Sequence, residues 1–384
     1  MKRTAMTNND DLSASDIYKY IESSSSIYST KSNDEIISFY NDDCYLVLER
    51  LEAFVNYVIT SNDDYPKQND DTPINGKHIK NVTKPKICIY FKRINSFITT
   101  IYKHDAYYIY SENIRLFQEA CYSLQLHQQC FNNPLDYNHS INKYAYEVFN
   151  DLIRFIRNKS KTAEFSKRVT DRKNYATRMF NKLKDYVDAL FAKHSRLVVI
   201  RLDLSYHVSN DLPPKQLVTL QQAKNDLAHL LQNTRHNALF EHMVGYIWKL
   251  EYGHSKGYHY HVILFFLGSQ VQKDIYLAMQ IGEYWSEVIT DKRGYYYNCN
   301  DDKNKHDLLG NLGIGRINAD DANLILNLLN KVVKYFTKKE QYLQLKLSRK
   351  DRVLGKGWIP DAPSGRGRPR NSKIDERALT VLTA

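Results

Sequence analysis

The feature that most constrains this chain is a pair of apolar runs joined by a short glycine-flanked loop, GYIWKLEY, GHSKG and YHYHVILFF, over residues 245–266. Side chains alternate across a strand, so Tyr258, Tyr260, Val262, Leu264 and Phe266 share one face. His259 and His261 leave the other. The first face reads as core and the second as a site. Gly253 and Gly257 suit a five-residue hairpin turn between two antiparallel strands. With Tyr252 opposite Tyr258, Glu251 stands opposite His259 on the same face, with Cβ atoms about 5 Å apart. His261 follows one pleat on.

Two imidazoles and a carboxylate on one patch of rigid sheet make a candidate divalent-cation site. Three protein ligands leave positions for water or a substrate oxygen. The alternative reading is that both histidines satisfy core hydrogen bonds and Glu251 faces solvent. Upstream, RLVVIRLDLSY (residues 196–206) puts Val198, Ile200, Leu202 and Leu204 on one face of a strand and Arg201, Asp203 and Ser205 on the other. Arg201 and Asp203 there serve either to place a nucleic acid or as a structural ion pair. A helix is expected after Pro213 and Pro214, another through Ile281, Trp285 and Val288, and a last one over residues 320–345. Strand, helix, strand, strand, helix, strand is the order of a split βαβ fold, so the expected class is α+β with an antiparallel, ferredoxin-like sheet.

The formal charge of +11 and a pI near 9.1 point to an acidic partner, nucleic acid first and an anionic membrane surface second. Thirty tyrosines favour nucleic acid, because rings interleaved with cations stack bases as well as neutralise phosphates. The charge is uneven: residues 1–75 hold 6 Lys and Arg against 14 Asp and Glu, whereas residues 338–373 hold 11 against 3. The expected organisation is an acidic, partly helical region over 1–75, a helical and increasingly basic region over 76–195, a catalytic domain over 196–346 and a basic tail over 347–384. In the first of these, Cys44, Val47, Leu48, Leu51, Phe54, Val55 and Val58 recur at helical spacing. Five scattered cysteines without a C-x-x-C pair suit a reducing compartment. No run approaches the roughly 18 apolar residues of a membrane span, and the opening residues hold no apolar export signal. A cytoplasmic setting without a membrane partner is the expectation.

In NKVVKYFTKKEQYL (residues 330–343), Ile325, Leu328, Leu329, Val332 and Phe336 form the expected buried stripe of the helix. Tyr335 lies at its margin, with Lys338, Lys339 and Tyr342 following at three, four and seven residues. A phenol ringed by cations is a candidate nucleophile; the other reading is an amphipathic tyrosine packed at a core boundary. No G-x-x-x-x-G-K-[ST] occurs, and GNLGIGR lacks the lysine and hydroxyl that hold nucleotide phosphates, so no nucleotide cofactor is expected.

The ordered set EYGHSKGYHYHVILFF, IGEYW, YYYNCN, GIGRI and VVKYFTKKEQYL resembles the HUH endonuclease superfamily, and within it the inovirus gene-II-type replication initiators and their prophage homologues. The resemblance covers roughly residues 195–370 and leaves the first 190 uncovered. It implies that His259, His261 and Glu251 bind Mg²⁺ or Mn²⁺, and that Tyr335 attacks single-stranded origin DNA to leave a 5′-phosphotyrosine link and a free 3′-hydroxyl. Lys338 matches the family's lysine, Lys339 stands ready for the same work or for DNA contact, and Tyr342 is the position of a second tyrosine in two-tyrosine members. Tyr260 departs from the usual apolar residue between the histidines. The implied activity is nicking and rejoining at a rolling-circle origin inside a bacterial host cell, with a host helicase for unwinding. The alternatives are an HUH relaxase or transposase, or a DNA-binding regulator that does not cut. Beyond the domain, GRGRPR places Arg366, Arg368 and Arg370 in an extended stretch resembling an AT-hook, whose arginines fit a narrow A·T minor groove; the other reading is a disordered basic tail that attracts any phosphate.

Overall fold

The computed structural model describes Ser13, Ser15 and residues 44–66, 85–104, 108–207, 218–253, 256–308, 310–345, 348 and 351–359. Arg366, Arg368 and Arg370 lie outside the described residues. The chain divides into two units: one takes residues 41–176 and 338–346, the other 177–337 and 347–384, together with short pieces near the start of the chain. Residues 338–346 thus belong with the helical unit and not with the sheet they follow in sequence.

The first unit is built on helices. Helix α1 (Cys44–Thr60) buries Leu48, Leu51, Phe54, Val55 and Val58, the stripe its spacing predicts. It packs with α2 (Ile94–His104), α3 (Glu112–Ser123) and α4 (Ala145–Ser160). Phe54 is the hub: its ring lies 6.0 Å from Phe97, 6.2 Å from Phe117 and 6.0 Å from Phe149. The aromatic-rich stretch after residue 85 supplies part of that core. A two-stranded pair, Tyr108–Tyr110 against Leu343–Leu345, completes the unit. Helix α5 (Ala163–Lys193) begins in this unit and continues into the second.

The second unit is a six-stranded antiparallel sheet. Its strands are β1 (Arg196–Tyr206), β2 (Met243–Gly253), β3 (Gly257–Leu267), β4 (Gly294–Asn298), β5 (Gly315–Asn318) and β6 (Leu354–Lys356). They lie in the order β6-β2-β3-β1-β4, with β5 also paired to β1. The inner run β2-β3-β1-β4, with α6 (Leu220–Asn233) between β1 and β2 and α7 (Asp274–Tyr284) between β3 and β4, is the split βαβ arrangement. Thr219 caps α6: its hydroxyl accepts from Gln222 N–H at 3.2 Å, and Gln222 accepts from the Thr219 N–H at 2.9 Å.

Both sheet faces are covered. One carries Tyr260, Val262, Leu264 and Phe266 on β3, with Trp285, Ile281, Ala278 and Leu227 among its buried companions. The other packs Leu197, Val199, Ile247, Ile263, Phe265 and Ile317 with Tyr186, Val187 and Leu190 of α5. A helix over residues 322–338 adds Leu328, Leu329, Val332, Val333 and Phe336 to that cluster. The histidine face, read from the sequence as a site, is therefore also core along much of β3. The helix expected over 320–345 is also shorter and less regular. Helix α8 (Ala322–Asn327) passes through a π-turn at Leu328–Val333, resumes over Lys334–Lys338, tightens at Lys339–Gln341 and gives way to the strand at Leu343.

Candidate metal centre

The hairpin register fixes the site. Tyr252 faces Tyr258 and Glu251 faces His259, as the loop predicts, with the ladder continuing to Gly253 and Gly257. Gly257 takes φ of +68°, a conformation that disfavours any residue with a Cβ. Across the sheet the pairing generates two lateral rows on one face. The first runs Lys249, His261, Asp203, Tyr297 over β2, β3, β1 and β4. In the second, Glu251 faces His259 and Ser205 faces Tyr295. Ser205 follows the Leu204–Tyr260 pair, which brings it level with His259.

Glu251, His259 and His261 bring ligand atoms within 4.8 Å of one another, and all three side chains are buried. Glu251 Oε2 lies 3.6 Å from His259 Nε2 and 3.3 Å from His261 Nε2. The opposite ring nitrogens are engaged: His261 Nδ1 lies 2.6 Å from Asp203 Oδ1, and His259 Nδ1 lies 3.1 Å from the Gly257 carbonyl. In neutral rings those bonds hold the proton on Nδ1 and leave the Nε2 lone pairs directed at the carboxylate. A lone pair facing an anionic oxygen is repulsive unless a cation stands between them. His259 Nε2 is buried and has no hydrogen-bond partner. Carboxylate and backbone acceptors behind the distal nitrogens are the usual outer support of a metal-bound histidine. The donor set and its spacing therefore fit a divalent ion.

Burial pushes the His259 imidazole down to about 4, with the positive charges of Lys256 and His261 adding to the effect against Glu251. For His261 burial acts in the same direction, but the Asp203 and Glu251 carboxylates outweigh it and raise its pKa. Asp203 is itself buried, yet His261 and Arg201 hold its carboxyl well below the usual carboxylate range. Arg201 Nε lies 3.6 Å from Asp203, so this arginine, a candidate DNA contact, is a half-buried member of an ion pair.

Phe336 packs its ring 5.9 Å from that of His261 at 30°, which brings the helical turn carrying Tyr335 against the histidine pair. Tyr335 is half-buried. Lys338 and Lys339 are buried, and Tyr342 is half-buried at the end of the following tight turn. Tyr342 lines a pocket of about 200 Å³ in the first unit with Glu52, Ser111, Asn113 and Arg172. A second helical turn carrying it beyond Tyr335, as unbroken periodicity implies, does not form.

Two participants escaped the sequence reading, and the role of a third was not legible there. Lys249 and Lys256 are both buried, and the Lys256 charge acts on His259 and Asp203. Lys249 sits two residues before Glu251 and so shares its face, a signal present in the alternation. Asp203 was visible on the site-facing side of its strand, but its role behind His261 needs the β1–β3 register.

A family model, the YagK/YfjJ C-terminal domain, matches residues 158–354. The chain belongs to this family. The YagK/YfjJ match takes in β1 to β5, both rows of the site face and the whole segment from Tyr335 to Tyr342. No curated protein and no solved structure matches the chain. Among the described residues, no helix is long and apolar enough to cross a membrane.

Proposed function

We propose that this YagK/YfjJ protein is a metal-dependent nicking and rejoining enzyme for single-stranded DNA, of the HUH type, acting at a replication origin of a phage, prophage or related element. The observation that carries the reading is the convergence of two imidazole Nε2 atoms and one carboxylate in a buried cluster whose distal nitrogens are already hydrogen-bonded. Glu251, His259 and His261 would hold Mg²⁺ or Mn²⁺. Bound there, the ion supplies Lewis-acid polarisation of a non-bridging phosphate oxygen.

The charge balance around the site supports an anionic substrate. Arg201, Lys249 and Lys256 stand against the carboxylates of Asp203, Glu251 and Asp302, so a divalent ion tips the site positive. A phosphodiester is the anion that the basic chain as a whole would gather. In the proposed step the Tyr335 oxygen forms a bond to phosphorus while the bond from phosphorus to the 3′-oxygen breaks, and the phenolic proton ends on the 3′-hydroxyl. One phosphoester replaces another, so the reverse reaction rejoins strands without ATP. Phe336, packed on His261, orients the backbone from which Tyr335 projects. Lys338, three residues on, is the cation the resemblance assigns to the phenol or the phosphate.

The test is a labelled single strand carrying the element's origin, incubated with the full chain and Mn²⁺. A protease-sensitive covalent band is expected, absent in Tyr335→Phe, which should retain its Mn²⁺ affinity. Undiminished adduct formation by the Phe variant, or in excess chelator, would overturn the assignment.

A further inference from the structure

Beside the histidine pair, the second row continues onto two hydroxyl groups that the nicking chemistry does not use. Ser205 is buried, and its Oγ has no hydrogen-bond partner. Tyr295, opposite it on β4, also buries an Oη without a partner. The two hydroxyls are neighbours, close enough for Ser205 to act on the Tyr295 phenol against the effect of burial, but their geometry falls short of a formed hydrogen bond. His259 Nε2, level with Ser205 on the adjoining strand, is a third buried polar atom in the same state. A polar group buried without a partner is costly, so three in one row is an unfavourable arrangement for a purely structural sheet.

Other polar groups of the sheet give the contrast. Tyr186, in the core farther along the same face, spends its hydroxyl on the Tyr246 N–H at 3.1 Å, and Trp285, on the opposite face, donates to the Ser205 carbonyl at 3.3 Å. Polar groups built only to hold the sheet together find partners. Ser205 Oγ and Tyr295 Oη do not, and what they have to offer is O–H donors. The complementary ligand is an acceptor, held beside the cation that Glu251, His259 and His261 fit. At its far end the row is reachable: Tyr295 is half-buried, and its ring lies 5.3 Å from His207, which is exposed.

We infer that Ser205 and Tyr295 form a phosphate-oxygen subsite that extends the metal centre along the sheet, donating two hydrogen bonds to a non-bridging oxygen of the bound single strand. The inference rests on the reading of the site as a phosphodiester-binding metal centre and adds the residues that position the substrate in it. They are positioning residues, since neither makes nor breaks a bond. Asp203 and Tyr297 in the neighbouring row cannot take this role, because Asp203 is an anion engaged with His261, and the Tyr297 hydroxyl donates to Asp302.

The experiment uses the full chain with Ser205→Ala, Tyr295→Phe and the double variant. Mn²⁺ affinity is measured by calorimetry, binding of a short labelled single-stranded oligonucleotide by anisotropy with and without Mn²⁺, and adduct formation under single-turnover conditions. Each single variant should bind Mn²⁺ like the wild type while its oligonucleotide affinity in Mn²⁺ falls about tenfold, the scale of one hydrogen bond to a charged oxygen. Replacing a non-bridging oxygen by sulfur in one of the two stereochemical senses should weaken wild-type binding and leave the double variant nearly indifferent. A merely structural role would not produce that stereochemical pattern. Wild-type oligonucleotide affinity in both single variants overturns the inference, whether or not the protein cuts. Mn²⁺-dependent binding that the variants lose, without any adduct in the wild type, upholds the subsite and removes the nicking reading. An absence of both Mn²⁺-dependent binding and adduct removes both.

Discussion

Asp203→Asn isolates the support behind the proposed metal ligands. The Asp203 carboxylate holds His261 Nδ1 at 2.6 Å and is the larger of the two carboxylate influences that raise the pKa of that ring. An amide of the same shape keeps the packing but carries no charge. It can also present its NH₂ to Nδ1, which would move the ring proton to Nε2, the atom that faces Glu251 at 3.3 Å. Loss of such an outer partner typically weakens metal binding 10–100-fold, or about 1.4–2.7 kcal/mol. The pH dependence follows from the same geometry. Metal must displace a proton from Nε2 of His261, whose pKa is raised, whereas His259, pushed down to about 4, is already neutral in that range. The apparent Mn²⁺ affinity of the wild type should therefore rise with pH by close to one proton's worth through the raised His261 pKa and then level off. In Asp203→Asn the curve should level off at lower pH but at weaker affinity. Calorimetric Mn²⁺ titration of both proteins between pH 5.5 and pH 8.5 reads both effects. Equal plateau affinities, or a proton dependence that persists when His261 is replaced by Gln, would refute the reasoning.

The remaining predictions concern the frame that holds the site. Tyr186→Phe leaves the Tyr246 N–H without the phenolic oxygen that accepts it at 3.1 Å, and should cost roughly 1–3 kcal/mol in urea denaturation. Gly282→Ala puts a Cβ 2.1 Å from the Tyr296 ring where α7 crosses β4, so a destabilisation of about 1–3 kcal/mol is expected in the same measurement. Protonation of metal-free His259 is disfavoured by folding, so its contribution to stability is present above the unfolded pKa and is lost as pH falls from about 6.5 towards about 4. The difference in unfolding free energy between wild type and His259→Gln should narrow or reverse across that interval.

The local rules that hold along β2 and β3 explain why so much of the site could be read from the chain. A loop as short as GHSKG permits few registers, and a period of two makes a one-residue slip exchange the two faces, so the Glu251–His259 pairing follows almost directly. The order of the inner strands follows from the split βαβ pattern in the same way. Burial of the histidine face was not readable, because it depends on Leu190 of α5 and on Phe336, which approach from far along the sequence. Ser205 and Tyr295 become neighbours only through the β1–β4 register. The aromatic stretch after residue 85 mixes apolar and tyrosine positions too evenly for either period to stand out, although it folds into helices around Phe54. The end of the last helix was misjudged because Leu343 and Leu345 fit a helical stripe until the Tyr108–Tyr110 strand claims them.

The π-turn at Leu328–Val333 carries a consequence for the aim of the proposed nucleophile. Such a turn holds one residue more than an α-helical turn, and everything after it is rotated by about 100° relative to an uninterrupted helix. Deleting one residue there should restore a regular helix while swinging the phenol of Tyr335 to a different azimuth. The aim of the side chain proposed to attack would then be written in a length difference upstream of it, a change that comparing residue identities at the tyrosine itself would never reveal.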